Sequence, residues 1–223
     1  MIGKAKNSDI SEFLYKCKYG IFDIDGTLFD SLPCYHEKWC EFWKKFGIKK
    51  ELLSPKIQKI FLEIEKEIAC LDFSLGISGI FIKKIVWRIF DMRKNENPKL
   101  FPNVDKLLEI LFDKKILFVS TASFHADIRL KKAKIKNYFY LALGVDQSLK
   151  IKHPILFAKF LKIPIEEFSK LAFVVGDSPV DIKIAKKYNI FAIGVAHNCS
   201  AKELFQAGAD MVVDKIGDLI KYF

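Results

Sequence analysis

Apolar runs of strand length, each cut off by polar residues, recur along most of this 223-residue chain. The clearest are Tyr19 to Ile24, Ile116 to Val119, Tyr138 to Leu143, Leu171 to Val175 and Phe191 to Val195, with a weaker sixth at Met211 to Val213. Successive residues are apolar rather than alternate ones, so both faces of each strand need cover. That is the pattern of a parallel sheet. Helical patterns lie between the runs. Val104, Leu107, Leu108 and Leu111 share one helix face after Asn103, a residue type suited to an N-cap. Ile182 and Ala185 follow Pro179 in a second. Alternating strand and helix predicts an α/β fold with a doubly wound, Rossmann-like parallel sheet. Residues 1 to about 17 read as a polar lead-in with a short helix on the core.

One stretch breaks the alternation. Between residues 31 and 99 no strand pattern stands out, and three helix faces follow one another. Tyr35, Trp39, Phe42, Trp43 and Phe46 form the first, Ile57, Phe61, Ile64 and Ile68 the second, and Ile82, Ile85, Val86 and Ile89 the third. The expected layout is therefore a core of residues 1–30 and 100–223, with an all-helical domain of residues 31–99 inserted after the first strand.

Composition excludes other classes. Apolar residues make up 51% and charged residues 29%, a globular balance that argues against disorder. No apolar run approaches a membrane span, and the start MIGKAKNSDISEF lacks the apolar segment of a secretory signal. Cys17, Cys34, Cys40, Cys70 and Cys199 are an odd set with no C-x-x-C pair, as expected of reduced thiols in a cytoplasmic protein. The net charge of +10 raises nucleic acid as a partner, but only three of the 37 basic residues are arginine: Arg88, Arg93 and Arg129. Without clustered guanidinium forks, a solvated lysine surface that attracts small anions is the better reading.

The first apolar run ends in Asp23-Ile24-Asp25-Gly26-Thr27-Leu28-Phe29-Asp30. In an extended strand, Asp23 and Asp25 point the same way and repel each other unless a cation lies between them. Hard carboxylate oxygens suit a divalent ion such as Mg2+, although a bare D-x-D is more often an acidic turn. The longer string DIDGTLFD, followed by a helical insert, resembles the first motif of the haloacid dehalogenase-like hydrolases. Ser120, ending the run Ile116 to Val119, resembles their second motif, with Thr121 as the neighbouring candidate. Lys152, before His153-Pro154, stands about where the third-motif lysine is expected, and Lys150 competes with it. Gly176-Asp177-Ser178-Pro179-Val180-Asp181 resembles the fourth, GDSxxD. All four fall where an open α/β sheet binds ligands, beyond the carboxyl ends of its strands.

The resemblance implies roles residue by residue. Asp23 would be the nucleophile and Asp25 the general acid and base. Ser120, Thr121 and Lys152 would bind the phosphoryl group. Asp23, Asp25 (through its carbonyl) and Asp177 would hold Mg2+. Asp181 would either ligate the ion or orient the lysine, or else serve only as a carboxylate at a helix N-terminus. Ser178 reads as an N-cap. The helical insert would be a cap that excludes water and carries specificity.

An intact Asp-x-Asp points within this family to phosphomonoester chemistry. The expected activity is an Mg2+-dependent phosphatase acting on a small phosphorylated metabolite, of sugar phosphate or phosphoglycolate type. The alternative is a sugar phosphomutase. In such mutases a histidine follows the first motif at the position held here by Tyr35, with His36 one residue later. A non-catalytic binding module on the same fold is the third reading. No nucleic-acid or membrane partner is expected, and either a monomer or a homodimer is compatible with the sequence. His36, His125, His153 and His197 show no metal-ligand spacing and read as surface or structural residues.

Overall fold

Every apolar run contributes a strand. The computed structural model describes residues 7–31 and 99–223, with a few isolated positions between them. The lead-in folds as helix α1 (Asn7–Lys16) and runs into strand β1 (Tyr19–Phe22). After residue 99 come α2 (Val104–Phe112), β2 (Ile116–Ser120), α3 (Ala126–Lys132) and β3 (Leu141–Leu143). A 3₁₀ turn (Lys150–Lys152) leads into α4 (His153–Leu161), then α5 (Ile165–Lys170) and β4 (Ala172–Gly176). The chain closes with α6 (Pro179–Lys187), β5 (Phe191–Val195), α7 (Ala201–Gln206), β6 (Met211–Val213) and a final 3₁₀ segment (Ile216–Tyr222).

The six strands form one sheet in the order β3-β2-β1-β4-β5-β6, and all pairs are parallel. Strand residues alternate between two apolar layers. Phe22, Leu117, Val119, Phe173 and Val175 face the layer built with Leu14, Leu107 and Leu111. Ile21, Phe118, Val174 and Ala192 face the layer built with Phe157, Phe168, Ile182 and Leu204. Phe118 stacks on Phe157 with ring centroids 4.5 Å apart. Cover on both faces is what the unbroken apolar runs require.

Three local readings are corrected. The run Tyr138 to Leu143 pairs as a strand only from Leu141, because Lys136–Tyr138 closes the turn after α3 as a 3₁₀ helix. Strand β1 ends at Phe22, because Ile24 starts a tight turn whose carbonyl accepts from the backbone N–H groups of Thr27, Leu28 and Phe29. Asn103 precedes α2 without capping it by its side chain. It adopts the left-handed conformation (φ 66) that Asn tolerates.

The chain leaves the core and returns to it at one place. Phe29 bridges Leu100 antiparallel, Asp30 N–H donates to the Lys99 carbonyl (2.9 Å), and Phe101 N–H donates to the Leu28 carbonyl (3.0 Å). Apart from Ile82, which is helical and exposed, the helix faces expected within 31–99 lie outside the described residues.

Helix α1 is fastened by a buried lysine. The Lys115 ammonium donates to the carbonyls of Leu14 (2.7 Å) and Cys17 (2.6 Å) at the helix C-terminus, groups with no partner inside the helix. Burial lowers its pKa. Replacing it by Met keeps the stem and strands those carbonyls. Lys115→Met should therefore lower the unfolding free energy by about 2 kcal/mol, read from urea denaturation. An unchanged midpoint would show that water satisfies them equally well.

Candidate active site

The strand order places β1 beside β4, and the chain turns out of the sheet just after each. Asp23 follows β1 and Asp177 follows β4, so the two carboxylates share one crevice at the carboxyl ends of the strands. Gly26 makes this approach feasible. Its φ of +79 is strained for other residues, and a Cβ there would run into the Asn198 amide and the Asp177 carboxylate.

Asp23, Asp177 and Asp181 are all buried, and each offers an oxygen within 4.8 Å of the others. Hard oxygens at that spacing fit a divalent cation of the Mg2+ class. Without one, the cluster is electrostatically expensive. Burial pushes the Asp23 pKa well above the ordinary carboxylate value, as do Asp181 and Asp177, while Lys150 opposes the rise. Burial and the neighbouring Asp181 push Asp177 up to about 7. Two donors steady Asp177: Asn198 Nδ2 to Oδ2 (2.6 Å) and Thr27 Oγ1 to Oδ1 (3.2 Å).

The cation among these carboxylates is Lys150, not Lys152. Lys150 Nζ lies 2.6 Å from Asp23 Oδ1 and 2.6 Å from Asp181 Oδ1, and its side chain is buried. Burial alone would lower its pKa, but Asp181 and Asp23 outweigh that and raise it, so the ammonium stays charged. Lys152 is exposed at the end of the same 3₁₀ turn. Asp181 combines two of its expected uses. Its Oδ1 meets Lys150, while its Oδ2 accepts from the Ser178 hydroxyl (2.6 Å) and backbone (3.2 Å) in a capping box that starts α6.

The side-chain cation that meets Asp25 is Arg129, where Asp23 meets Lys150. The turn after β1 sends the Asp25 carboxylate to Arg129, whose two terminal nitrogens donate to Oδ2 (2.7 Å) and Oδ1 (2.5 Å). Ser123 Oγ also donates to Oδ2 (2.5 Å). Burial would raise the Asp25 pKa, but Arg129 wins and holds it below the usual carboxylate range.

Ser120 ends β2, and its hydroxyl lies 2.9 Å from His153 Nδ1. His153 Nε2 faces the Ser148 carbonyl at 3.1 Å. A carbonyl only accepts, so Nε2 carries the hydrogen, and Nδ1 accepts the Ser120 proton. Burial pushes the His153 pKa down to about 3, keeping the ring neutral. Thr121 is adjacent, but its Oγ1 accepts from Ser123 N–H (3.1 Å) and its own N–H extends the sheet to Leu143.

Sequence reasoning thus brought Asp23, Asp177, Asp181 and Ser120 to one end of the sheet, and missed Arg129, His153 and Asn198 as parts of it. The rarity of arginine was the one available signal for Arg129. Of the two competing lysines, the structure brings Lys150 to the carboxylates and leaves Lys152 exposed.

The haloacid dehalogenase-like hydrolase family matches residues 20–195, and the chain belongs to that family. It is a hydrolase. The fold is similar to a predicted phosphatase from Clostridium acetobutylicum (25% identity, TM-score 0.65) and to an inferred β-phosphoglucomutase from Thermotoga maritima (24%, 0.65). It is also similar to a predicted phosphoglycolate phosphatase from Haemophilus somnus (22%, 0.68). Each likeness covers 92% of this chain and 97% of the other. No curated protein matches the chain.

Raised carboxylate pKa values carry a sign. A carboxyl that holds its proton more tightly when folded costs nothing below its ordinary range, and it destabilises the fold as pH rises through its folded pKa. Between the ordinary range and about 7, Asp177 therefore makes the metal-free protein less stable with rising pH. Mg2+ competes with that proton. At tenfold excess over its dissociation constant, Mg2+ should stabilise the protein by about 1.4 kcal/mol. The increment should shrink on acidification and vanish in Asp177→Asn. Thermal unfolding measures it, and equal increments at acid and neutral pH would refute the reading.

Proposed function

We propose that the chain is an Mg2+-dependent phosphatase that hydrolyses a small phosphorylated metabolite through an aspartyl-phosphate on Asp23. The observation that carries this reading is the Lys150 ammonium bridging Asp23 and Asp181 beside Asp177. A nucleophilic carboxylate flanked by fixed positive charge is what attack on an anionic phosphate needs.

Asp23 attacks phosphorus with one carboxylate oxygen while Lys150 neutralises charge that develops on the phosphoryl oxygens. As the ester P–O bond breaks, its electron pair stays on the leaving oxygen, which takes a proton from Asp25. Asp25 then removes a proton from the water that attacks the phosphoenzyme, releasing phosphate and restoring Asp23. Asp25 thus enters the cycle protonated and regains in the second half the proton it gave up in the first, while Arg129, which donates to both of its oxygens, holds the carboxylate that exists between the two halves. Asp23 and Asp177 would hold Mg2+, which when bound supplies further charge neutralisation at the phosphoryl oxygens. Asp181 positions Lys150 from behind. Residues 31–99 would form a helical cap that excludes water and selects the substrate.

The likeness to an inferred β-phosphoglucomutase supports one rival, a sugar phosphomutase. Release of phosphate from a sugar phosphate, against isomer exchange primed by a bisphosphate, separates the two.

Metal-dependent turnover of p-nitrophenyl phosphate should disappear in Asp23→Asn and on chelation with EDTA. A rate indifferent to either would remove the proposed site. Lys150→Met should lower kcat/KM by at least about 10²-fold, the loss typical of a preorganised charge stabiliser. Lys152→Ala should leave it nearly unchanged, and the reverse ranking would restore Lys152.

A further inference from the structure

His153 is fully buried and has no part in the steps at Asp23 and Asp25. It stands three residues after Lys150, one revolution of the 3₁₀ turn, so the two side chains share a face and both reach the strand tips. Pairing of Phe22 with Val119 sets Asp23 and Ser120 side by side at those tips. Ser120 Oγ lies 2.9 Å from His153 Nδ1, and His153 Nε2 lies 3.1 Å from the Ser148 carbonyl. Burial, with the nearby Lys150 charge, keeps the ring neutral against the pull of the Ser148 and Gly144 carbonyls. A neutral ring with its hydrogen on Nε2 has only a lone pair at Nδ1, so the Ser120 proton points at His153.

We infer that His153 is a positioning residue that competes with the phosphoryl group for the single proton of Ser120. The inference rests on the phosphatase reading above, with Ser120 binding the phosphoryl group. Ionised phosphoryl oxygens accept hydrogen bonds and offer none. A hydroxyl has one proton to give. To serve the phosphoryl group, the Ser120 hydroxyl turns about its Cβ–Oγ bond without moving a heavy atom, and His153 Nδ1 loses that bond inside the protein. Leaving a buried acceptor unpaired offsets most of what the new hydrogen bond contributes. When phosphate leaves, the proton swings back and Nδ1 is paired again. The site therefore holds phosphate less tightly than its donors alone would allow, and release of the product is favoured.

A histidine that only props the strand tip would make the same contacts, but its loss would weaken phosphate binding rather than tighten it. The test therefore reads the affinity of the whole chain for inorganic phosphate, by titration calorimetry with Mg2+ present. His153→Leu removes the competing acceptor and should bind phosphate at least about fivefold more tightly than wild type, the smaller end of the effect of a stranded buried group. Deleting the hydroxyl should cancel that gain, so His153→Leu combined with Ser120→Ala should bind within about twofold of Ser120→Ala alone. Unchanged or weaker binding in His153→Leu, or tightening that persists without the Ser120 hydroxyl, would overturn the inference. The phosphatase reading would survive either result, because it stands on hydrolysis of p-nitrophenyl phosphate by wild type. A wild type that neither binds phosphate nor hydrolyses that ester would overturn both. His153→Gln sets an amide donor where Nε2 stood and no acceptor where Nδ1 stood, so it carries the test if His153→Leu does not fold.

Discussion

Three buried carboxylates cannot sit together in a protein interior unless positive charge is built in with them, and here Lys150 is that charge. At 2.6 Å from Asp23 the attraction is about 6 kcal/mol at an effective dielectric of about 20. Removing each ion from water costs several kcal/mol. The two nearly offset, so the arrangement adds little to stability. It is better understood as a reactive device than as a brace. The fold's contribution is placement: parallel strands deliver Asp23 and Asp177 side by side, and the start of α6 adds Asp181.

The second aspartate belongs to a separate electrostatic compartment. Asp23 answers to a lysine and Asp25 to an arginine, although one residue separates them in the chain. The turn after β1 causes this split. Its glycine lets the backbone bend so sharply that alternation along a strand no longer applies. Two adjacent acids thereby acquire opposite tendencies: burial raises the pKa of one, and a guanidinium lowers that of the other.

Much of this was legible in the chain alone, for physical reasons that vary by residue. Strands covered on both faces write themselves as unbroken apolar runs, so the sheet could be read, and with it the carboxylates at the strand ends. Lys150 was less accessible. In a 3₁₀ turn with three residues per revolution, a shift of two residues swings a side chain through about 240°. That separates the buried Lys150 from the exposed Lys152. His153 and Arg129 were hidden for another reason. Their partners, Ser120 and Asp25, lie 33 and 104 positions away, and no local pattern encodes which helix face meets a given strand tip.

The paired stretch where Leu28 to Asp30 meets Lys99 to Phe101 works as a fixed doorway in the core wall. Both jambs are hydrogen-bonded to each other, and the Phe29 ring on one of them flanks the guanidinium that grips Asp25. Whatever sequence is threaded through that opening, the reactive groups remain anchored on the core side. On the phosphatase reading, an inserted segment of another length could be joined there while Asp23, Asp177 and Lys150 keep their places on the core.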